Sequence, residues 1–346
     1  MKLESHIADL QLAHSWKIAR SDAASTARVV VLKMTDKKQI FGFGEAAPVG
    51  RYKENVETVT DFFRSVAPEK LSFENIEESM QYLDSLSPGD QSAKCALNLA
   101  LLDGASRNQQ KSVCDFLGLG FQEKKHLSSL TIGIDTPENI KKKVLAAEAF
   151  PVLKMKVGVP DDKALLRALR DVAPQKAVRV DANEGWKTKE HALEMIEWLA
   201  RDGHIEFIEQ FMFASASIED CVWLKKRSPL PLFADESFHS AADAARAAEC
   251  FHGVNVKLVK TGGISRGYEA LKAARGLGLK TMLGCMIETS ILISAGAHLA
   301  ELCDYLDLDG NILITNDPYL GATVDKGVLS FAKATEKYGL RVSLRK

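Results

Sequence analysis

From Leu127 onward, short apolar segments alternate with amphipathic ones about every 25 residues, and this rhythm restricts the possible folds more than any other feature of the chain. The apolar segments are Leu127–Ile134, Val152–Gly158, Ala177–Asn183, Ile205–Gln210, Leu232–Ser237, Val254–Lys260, Lys280–Met286 and Tyr305–Asp309. Patterns of helical period, such as Thr188–Leu199 and Ser265–Gly276, separate them. Strict alternation of strand and helix implies right-handed βαβ crossovers and a parallel sheet. Eight such strands suit a closed (β/α) barrel better than an open doubly wound sheet, and no GxGxxG follows the first strand to favour the latter.

The preceding 120 residues read differently. Ala27–Leu32 and Gln39–Glu45 are strand-like and are joined by a polar turn at Asp36-Lys37-Lys38. Helical spacing runs from Glu54 to Leu86, SPGD breaks it at Ser87–Asp90, and Ser92–Ser106 is a mostly apolar helix. Gly118-Leu119-Gly120 marks a boundary. The expected organisation is an α+β cap over residues 1–120, a barrel over 121–311, and a tail (312–346) that returns to the cap. A chain of 346 residues is long enough for both.

With 46% hydrophobic and 26% charged residues and a net charge of −1, no basic face advertises nucleic acid or anionic lipid. The Lys141-Lys142-Lys143 run reads as a solvated helix face. The six cysteines are scattered without a CxxC pair, as expected of reduced thiols in a cytoplasmic protein. No segment approaches the ~20 apolar residues of a membrane span, and MKLESHIADL lacks the apolar core of a signal peptide.

Strands of a parallel barrel are covered on both faces and should carry no charge. Six of these do, nearly all near their C-terminal ends, where barrel active sites lie. Lys154 and Lys156 alternate with Leu153, Met155 and Val157 and so share a face; Asp181 ends VRVD, Glu209 ends FIE, Asp235-Glu236 end LFADE, Lys257 lies in VNVKLV, and Asp307 and Asp309 alternate with Leu306 and Leu308. One such acid would be an ordinary helix cap or ion-pair partner. An array across six strands must be mutually neutralised or must do chemistry, because an unpaired buried charge costs several kcal/mol. Asp181, Glu209 and Asp235, on consecutive strands, form an all-oxygen set suited to a hard cation, with Mg²⁺ the expected one. Zinc does not fit, since Cys285 is the only thiol or imidazole among the strand ends.

The lysines flank those acids, and strands four apart in an eight-stranded barrel face each other across the mouth. A substrate between Lys156 and Lys257 meets an amine on each side. A lysine must be neutral to act as a base, against an ordinary pKa of about 10.4, and a cation or a neighbouring ammonium lowers that value. The implied chemistry is proton abstraction next to a carboxylate, with Lys154 and the metal stabilising the enolate and the proton returned from the opposite face.

LKMKVG, VDANEGW, FIEQ, FADES, VKLVKTGGIS and GCMIETS resemble the strand-end motifs of the enolase superfamily, muconate-lactonizing subgroup, and FGFGEAAP and SAKCALNLALLDGAS resemble its N-terminal cap. The resemblance spans nearly the whole chain. It implies Asp181, Glu209 and Asp235 as metal ligands and Lys156 and Lys257 as the acid/base pair. Lys260, three residues beyond Lys257, is expected on the opposite face. Asp307-x-Asp309 is similar to the pair that receives the substrate ammonium in dipeptide epimerases, which implies a dipeptide as the small-molecule partner; no nucleic acid or membrane partner is expected, and a homo-oligomer is compatible with the reading. Substrate contacts of the family fall on Thr131, Cys285, Met286 and Ile287, and ordinary packing is an equal reading for the last three. For L-Ala-D/L-Glu epimerases the family implies an arginine in the loop HSWKIARSD; Arg20 or Lys17 is its counterpart, with Arg51 of APVGRY as a third candidate. o-Succinylbenzoate synthase and muconate cycloisomerase share the lysines and metal, but their substrates carry no ammonium for the acidic pair. A non-catalytic barrel that binds a metal-chelated ligand is the reading from another class.

Overall fold

The computed structural model describes residues 1–345. It opens with a three-stranded antiparallel sheet, β1 (Lys2–Trp16), β2 (Ala24–Thr35) and β3 (Phe41–Ala46), followed by helices α1 (Val56–Ser65), α2 (Ile76–Leu86), α3 (Gln91–Asn108) and α4 (Val113–Phe116). The long strand β1 was not apparent from sequence, because only Leu10 of its fifteen residues is fully buried and alternation has little to act on. The loop that covers the barrel is correspondingly shorter than HSWKIARSD: His14–Trp16 complete β1 and the loop begins at Lys17.

α3 packs on β3 so closely that a Cβ on Gly42 or Gly44 would overlap the carbonyl of Ala100 or Ala96. Those two glycines therefore set the spacing between helix and sheet. Asp103 of α3 accepts the amides of Phe43 (2.8 Å) and Leu340 (2.7 Å), tying the C-terminal segment to this sheet.

All eight barrel strands are present and parallel: β4 (Leu130–Ile132), β5 (Val152–Lys156), β6 (Ala177–Asp181), β7 (Ile205–Glu209), β8 (Leu232–Ala234), β9 (Gly253–Lys257), β10 (Lys280–Gly284) and β11 (Tyr305–Asp307). Each pairs with its sequence neighbour, and a parallel bridge between Ser128 and Leu306 brings the two ends of the sheet together. α5 (Pro137–Ala146), α6 (Asp162–Val172), α7 (Lys189–Ala200), α8 (Ile218–Lys225), α9 (Ala244–Cys250), α10 (Leu258–Thr261), α11 (Ile264–Gly276) and α12 (Ser290–Ala297) connect them. After β11 the chain forms short antiparallel pairs instead of an eighth outer helix, and Thr315 N–H donates to Gln11 O of β1 at 2.8 Å.

Every barrel strand is shorter than its apolar segment in the sequence, and most of the lost residues lie at the C-terminal end. Asn183, Glu184 and Gln210 have positive φ (43°, 68° and 35°), so the chain turns sharply just past Asp181 and Glu209. Glu45 of β3 joins the first sheet to the barrel: it accepts Thr289 N–H (2.9 Å), Thr289 Oγ1–H (2.5 Å) and Leu292 N–H (3.2 Å) at the start of α12. Burial raises its pKa to about 7.

Candidate active site

Within β5, Leu153 and Met155 pack outward while Lys154 and Lys156 point into the barrel mouth, and all four are buried. Lys154 Nζ lies 2.8 Å from Asp307 Oδ2, 2.8 Å from Glu209 Oε2 and 3.1 Å from Asp181 Oδ2. Lys156 donates to Asp181 Oδ2 at 2.6 Å. Across the mouth, Lys257 Nζ is 2.9 Å from Asp235 Oδ2. Lys260 departs from expectation. β9 ends at Lys257 and the next residues form the single turn α10, so the alternation of an extended strand no longer applies. The turn brings Lys260 Nζ to Asp235 as well, 2.5 Å from Oδ1 and against the backbone carbonyl.

Carboxylate oxygens of Asp181, Glu209 and Asp235 lie within 4.8 Å of one another. Glu209 Oε2 and Asp235 Oδ2 face their lysines without hydrogen-bond geometry, and Asn183 Oδ1 and Glu236 Oε2 nearby have no partner among the described residues. Buried acceptors left open in this way fit a hard cation. Burial, reinforced by the Asp181 charge, raises Glu209 to about 8. Burial also opposes ionisation of Asp181 and Asp235, but Lys156 and Lys154 around the first, and Lys257 and Lys260 around the second, outweigh it and hold both low. Lys154 and Lys257 are held above the ordinary lysine value: burial favours their neutral form, yet Asp307 and Glu209 for Lys154, and Asp235 for Lys257, prevail.

Asp307 and Asp309 differ. Asp307 is engaged by Lys154 and accepts Ser129 Oγ–H at 2.8 Å, and its pKa is lowered because Lys154 overcomes burial. Asp309 has no cationic partner among the described residues: Oδ2 accepts Thr131 N–H at 2.6 Å and Oδ1 faces Cys285 Sγ at 3.6 Å. Burial and the Asp307 charge raise it to about 6. Thr131, Cys285, Met286, Ile287, Asp307, Asp309 and the three lysines Lys154, Lys156 and Lys257 line one cavity of about 290 Å³, roofed by Trp16, Ile18, Arg20 and Pro48.

The three specificity candidates separate. Arg20 lines the cavity, with Nη1 2.5 Å from Glu236 Oε1. Arg51 Nη2 pairs with Glu184 Oε1 at 2.6 Å beside it. Lys17 is exposed and outside the cavity lining, and only its backbone carbonyl reaches the barrel, at Ile134 N–H.

Residues 6–118 match the family model "Mandelate racemase / muconate lactonizing enzyme, N-terminal domain", and residues 138–333 match "Enolase C-terminal domain-like". The chain belongs to the enolase superfamily. An L-Ala-D/L-amino acid epimerase of Pedosphaera parvula is 62% identical to this superfamily member over 336 residues, covering 96% of this chain and 97% of its own. An L-Ala-D/L-Glu epimerase of Bacteroides thetaiotaomicron is 37% identical over 95% of this chain and 85% of its own. Among solved structures, the substrate-liganded L-Ala-D/L-Glu epimerase of Bacillus subtilis superposes with a TM-score of 0.89 at 26% identity, covering 98% of this chain and 97% of that one. A dipeptide epimerase of Enterococcus faecalis, complexed with Mg and L-Leu-L-Tyr, gives 0.88 at 26% identity over 99% and 98%. This enolase superfamily member is an enzyme of the isomerase class.

Three site residues escaped the sequence reading. Asn255 Nδ2 donates to Glu209 Oε1 at 2.8 Å; it lies two residues before Lys257, so strand alternation alone could have placed it inward. Gln210 Oε1 accepts the amides of Asp235 (3.0 Å) and Ser237 (3.1 Å), lacing adjacent strand ends together. Glu236, noted in LFADE without a role, partners Arg20.

Proposed function

We propose that the protein is a Mg²⁺-dependent dipeptide epimerase that inverts the α-carbon of the C-terminal residue by two-base proton transfer. The observation that carries the reading is the placement of Lys156 and Lys257 on β5 and β9, with three convergent carboxylates between them and Asp309 uncompensated in the same cavity. The names of the full-length relatives, and the dipeptide and Mg in the Enterococcus structure, support it.

Asp181, Glu209 and Asp235 would hold the metal. When bound, Mg²⁺ supplies Lewis-acid stabilisation of a chelated α-carboxylate and adds positive charge that favours neutral lysine. Lys156 and Lys257 address opposite faces of the α-carbon, one removing a proton and the other returning one. Lys154, locked by three carboxylates, stays cationic and stabilises the developing enolate charge. Asp309 takes the substrate ammonium. Because Arg20 is already paired with Glu236, an acidic second side chain would have to share it. L-Ala-D/L-Glu is therefore one substrate within a wider set of L-Ala-Xaa dipeptides. Incubation of Ala-Glu, Ala-Ala, Ala-Leu and Ala-Phe in D₂O, read by mass spectrometry, tests this: substrates gain one deuteron, and a panel without exchange overturns the proposal.

A further inference from the structure

A second cavity, of about 200 Å³, lies directly behind Trp16, between the end of β1, strand β4 and helix α5. Its lining is mostly apolar, including Leu12, Leu130, Ile132 and Ala147. Its one cationic side chain, Lys143, is engaged by Asp135 at 2.8 Å. Trp16, Thr131 and Leu313 line both this cavity and the reaction cavity, so they form the wall between the two.

Two of those three have little freedom to give way. Thr131 is fixed by its amide to Asp309, and the Leu313 carbonyl accepts Ala13 N–H of β1 at 2.9 Å. Trp16 also lines both cavities. The ring lies close to Gly133, where a Cβ would come within ordinary contact, 3.7 Å, of Trp16 Cε3. Its backbone is held from both sides: Trp16 pairs with Ala24 of β2, and the next carbonyl, Lys17 O, accepts Ile134 N–H at 3.0 Å. The strand end that carries the indole is thus held in place between the two cavities.

We infer that Trp16 sets the size of the substrate's first side chain, by closing off an apolar pocket that would otherwise accept a branched aliphatic or aromatic group. The inference rests on the dipeptide reading and on the ammonium lying against Asp309. The first side chain leaves the carbon that bears that ammonium, and Asp309 touches Thr131, so this side chain emerges at the shared wall. With Trp16 in place it meets the indole and must be small. Without the indole it reaches a cavity larger than the ~150 Å³ engineered cavity that takes up benzene in another protein.

The test compares Ala-Glu with Leu-Glu and Phe-Glu in wild type, Trp16→Leu and Trp16→Ala, with folding followed by circular dichroism. A methylene or more of new apolar contact is worth about tenfold in discrimination. The ratio of kcat/KM for Leu-Glu over Ala-Glu should rise by about tenfold or more in Trp16→Ala and by a smaller factor in Trp16→Leu. Should Trp16→Ala not fold, Trp16→Leu alone decides. An unchanged ratio in a folded variant that still converts Ala-Glu overturns the role of Trp16 and leaves the dipeptide reading standing. A wild type that converts none of the three overturns both.

Discussion

The ammonium of Lys154 sits 2.8 Å from Asp307 Oδ2, and this contact divides the acidic pair at the end of β11 into two carboxylates with different work. Asp307 holds Lys154, which the proposed mechanism would keep charged, whereas Asp309 has no cation of its own among the described residues. Asp309→Asn should therefore weaken Ala-Glu turnover and abolish discrimination against N-acetyl-Ala-Glu. In wild type that discrimination should be about 30-fold or more in kcat/KM, as expected when a buried carboxylate loses its partner cation. Asp307→Asn should lower turnover while keeping the discrimination. Equal turnover of free and acetylated dipeptide by the wild type would remove the role given to Asp309.

The triad should reveal its ion without any substrate. A ligand that binds only the folded state raises the melting temperature progressively once its concentration exceeds the dissociation constant, with the logarithm of that concentration. Chelated protein titrated with MgCl₂ should melt at progressively higher temperature, and Asp235→Asn, which keeps the volume but removes the charge, should lose most of that response. A wild-type melting curve indifferent to Mg²⁺ from micromolar to tens of millimolar would contradict the assignment.

What the sequence made legible here was charge out of place. Asp181, Glu209, Asp235 and the lysines stand out because a covered parallel strand should be apolar, and the structure brings them together. Lys260 was misjudged because strand alternation was carried past the last strand residue into a helical turn. The pairing of Arg20 with Glu236 joins residues more than 200 positions apart, and no local pattern encodes it. Asn255 is legible in retrospect, but an amide within an apolar run attracts less notice than a charge.

His298 makes a separate, structural prediction. Its ring stacks on Phe331 with centroids 4.8 Å apart and Nδ1 accepts Cys114 N–H at 3.3 Å, and burial pushes its pKa down to about 3. The folded state therefore keeps it neutral while the unfolded chain takes up a proton near pH 6.5. Its contribution is fully present above about pH 6.5 and is lost as pH falls toward 3, by at most about 1.4 kcal/mol per pH unit. Denaturation of wild type and His298→Gln at pH 7.5, 5.5 and 4.5 should show the gap between them narrowing at that rate. A gap independent of pH would mean the imidazole is not held neutral.

The two-base assignment yields the sharpest test. Lys156 projects from β5 and Lys257 from β9, four strands away around the sheet, and both line the same cavity; on the proposed mechanism each amine would address one face of the α-carbon. Net inversion needs both. Exchange of the α-proton needs only the amine facing it, since a lysine that removes a proton can return a deuteron from solvent to the same face. Lys156→Ala and Lys257→Ala should each lose epimerisation by several orders of magnitude. Any residual exchange in D₂O should be confined to one epimer, L-Ala-L-Glu in one variant and L-Ala-D-Glu in the other. Proton NMR of the α-position separates the two substrates directly. If both variants wash out the same epimer, the lysines do not face opposite sides; if either still interconverts the epimers at the wild-type rate, it is not one of the two bases. Loss of melting response to Mg²⁺ in either variant would point instead to damage at the triad, because Lys156 and Lys257 contact Asp181 and Asp235.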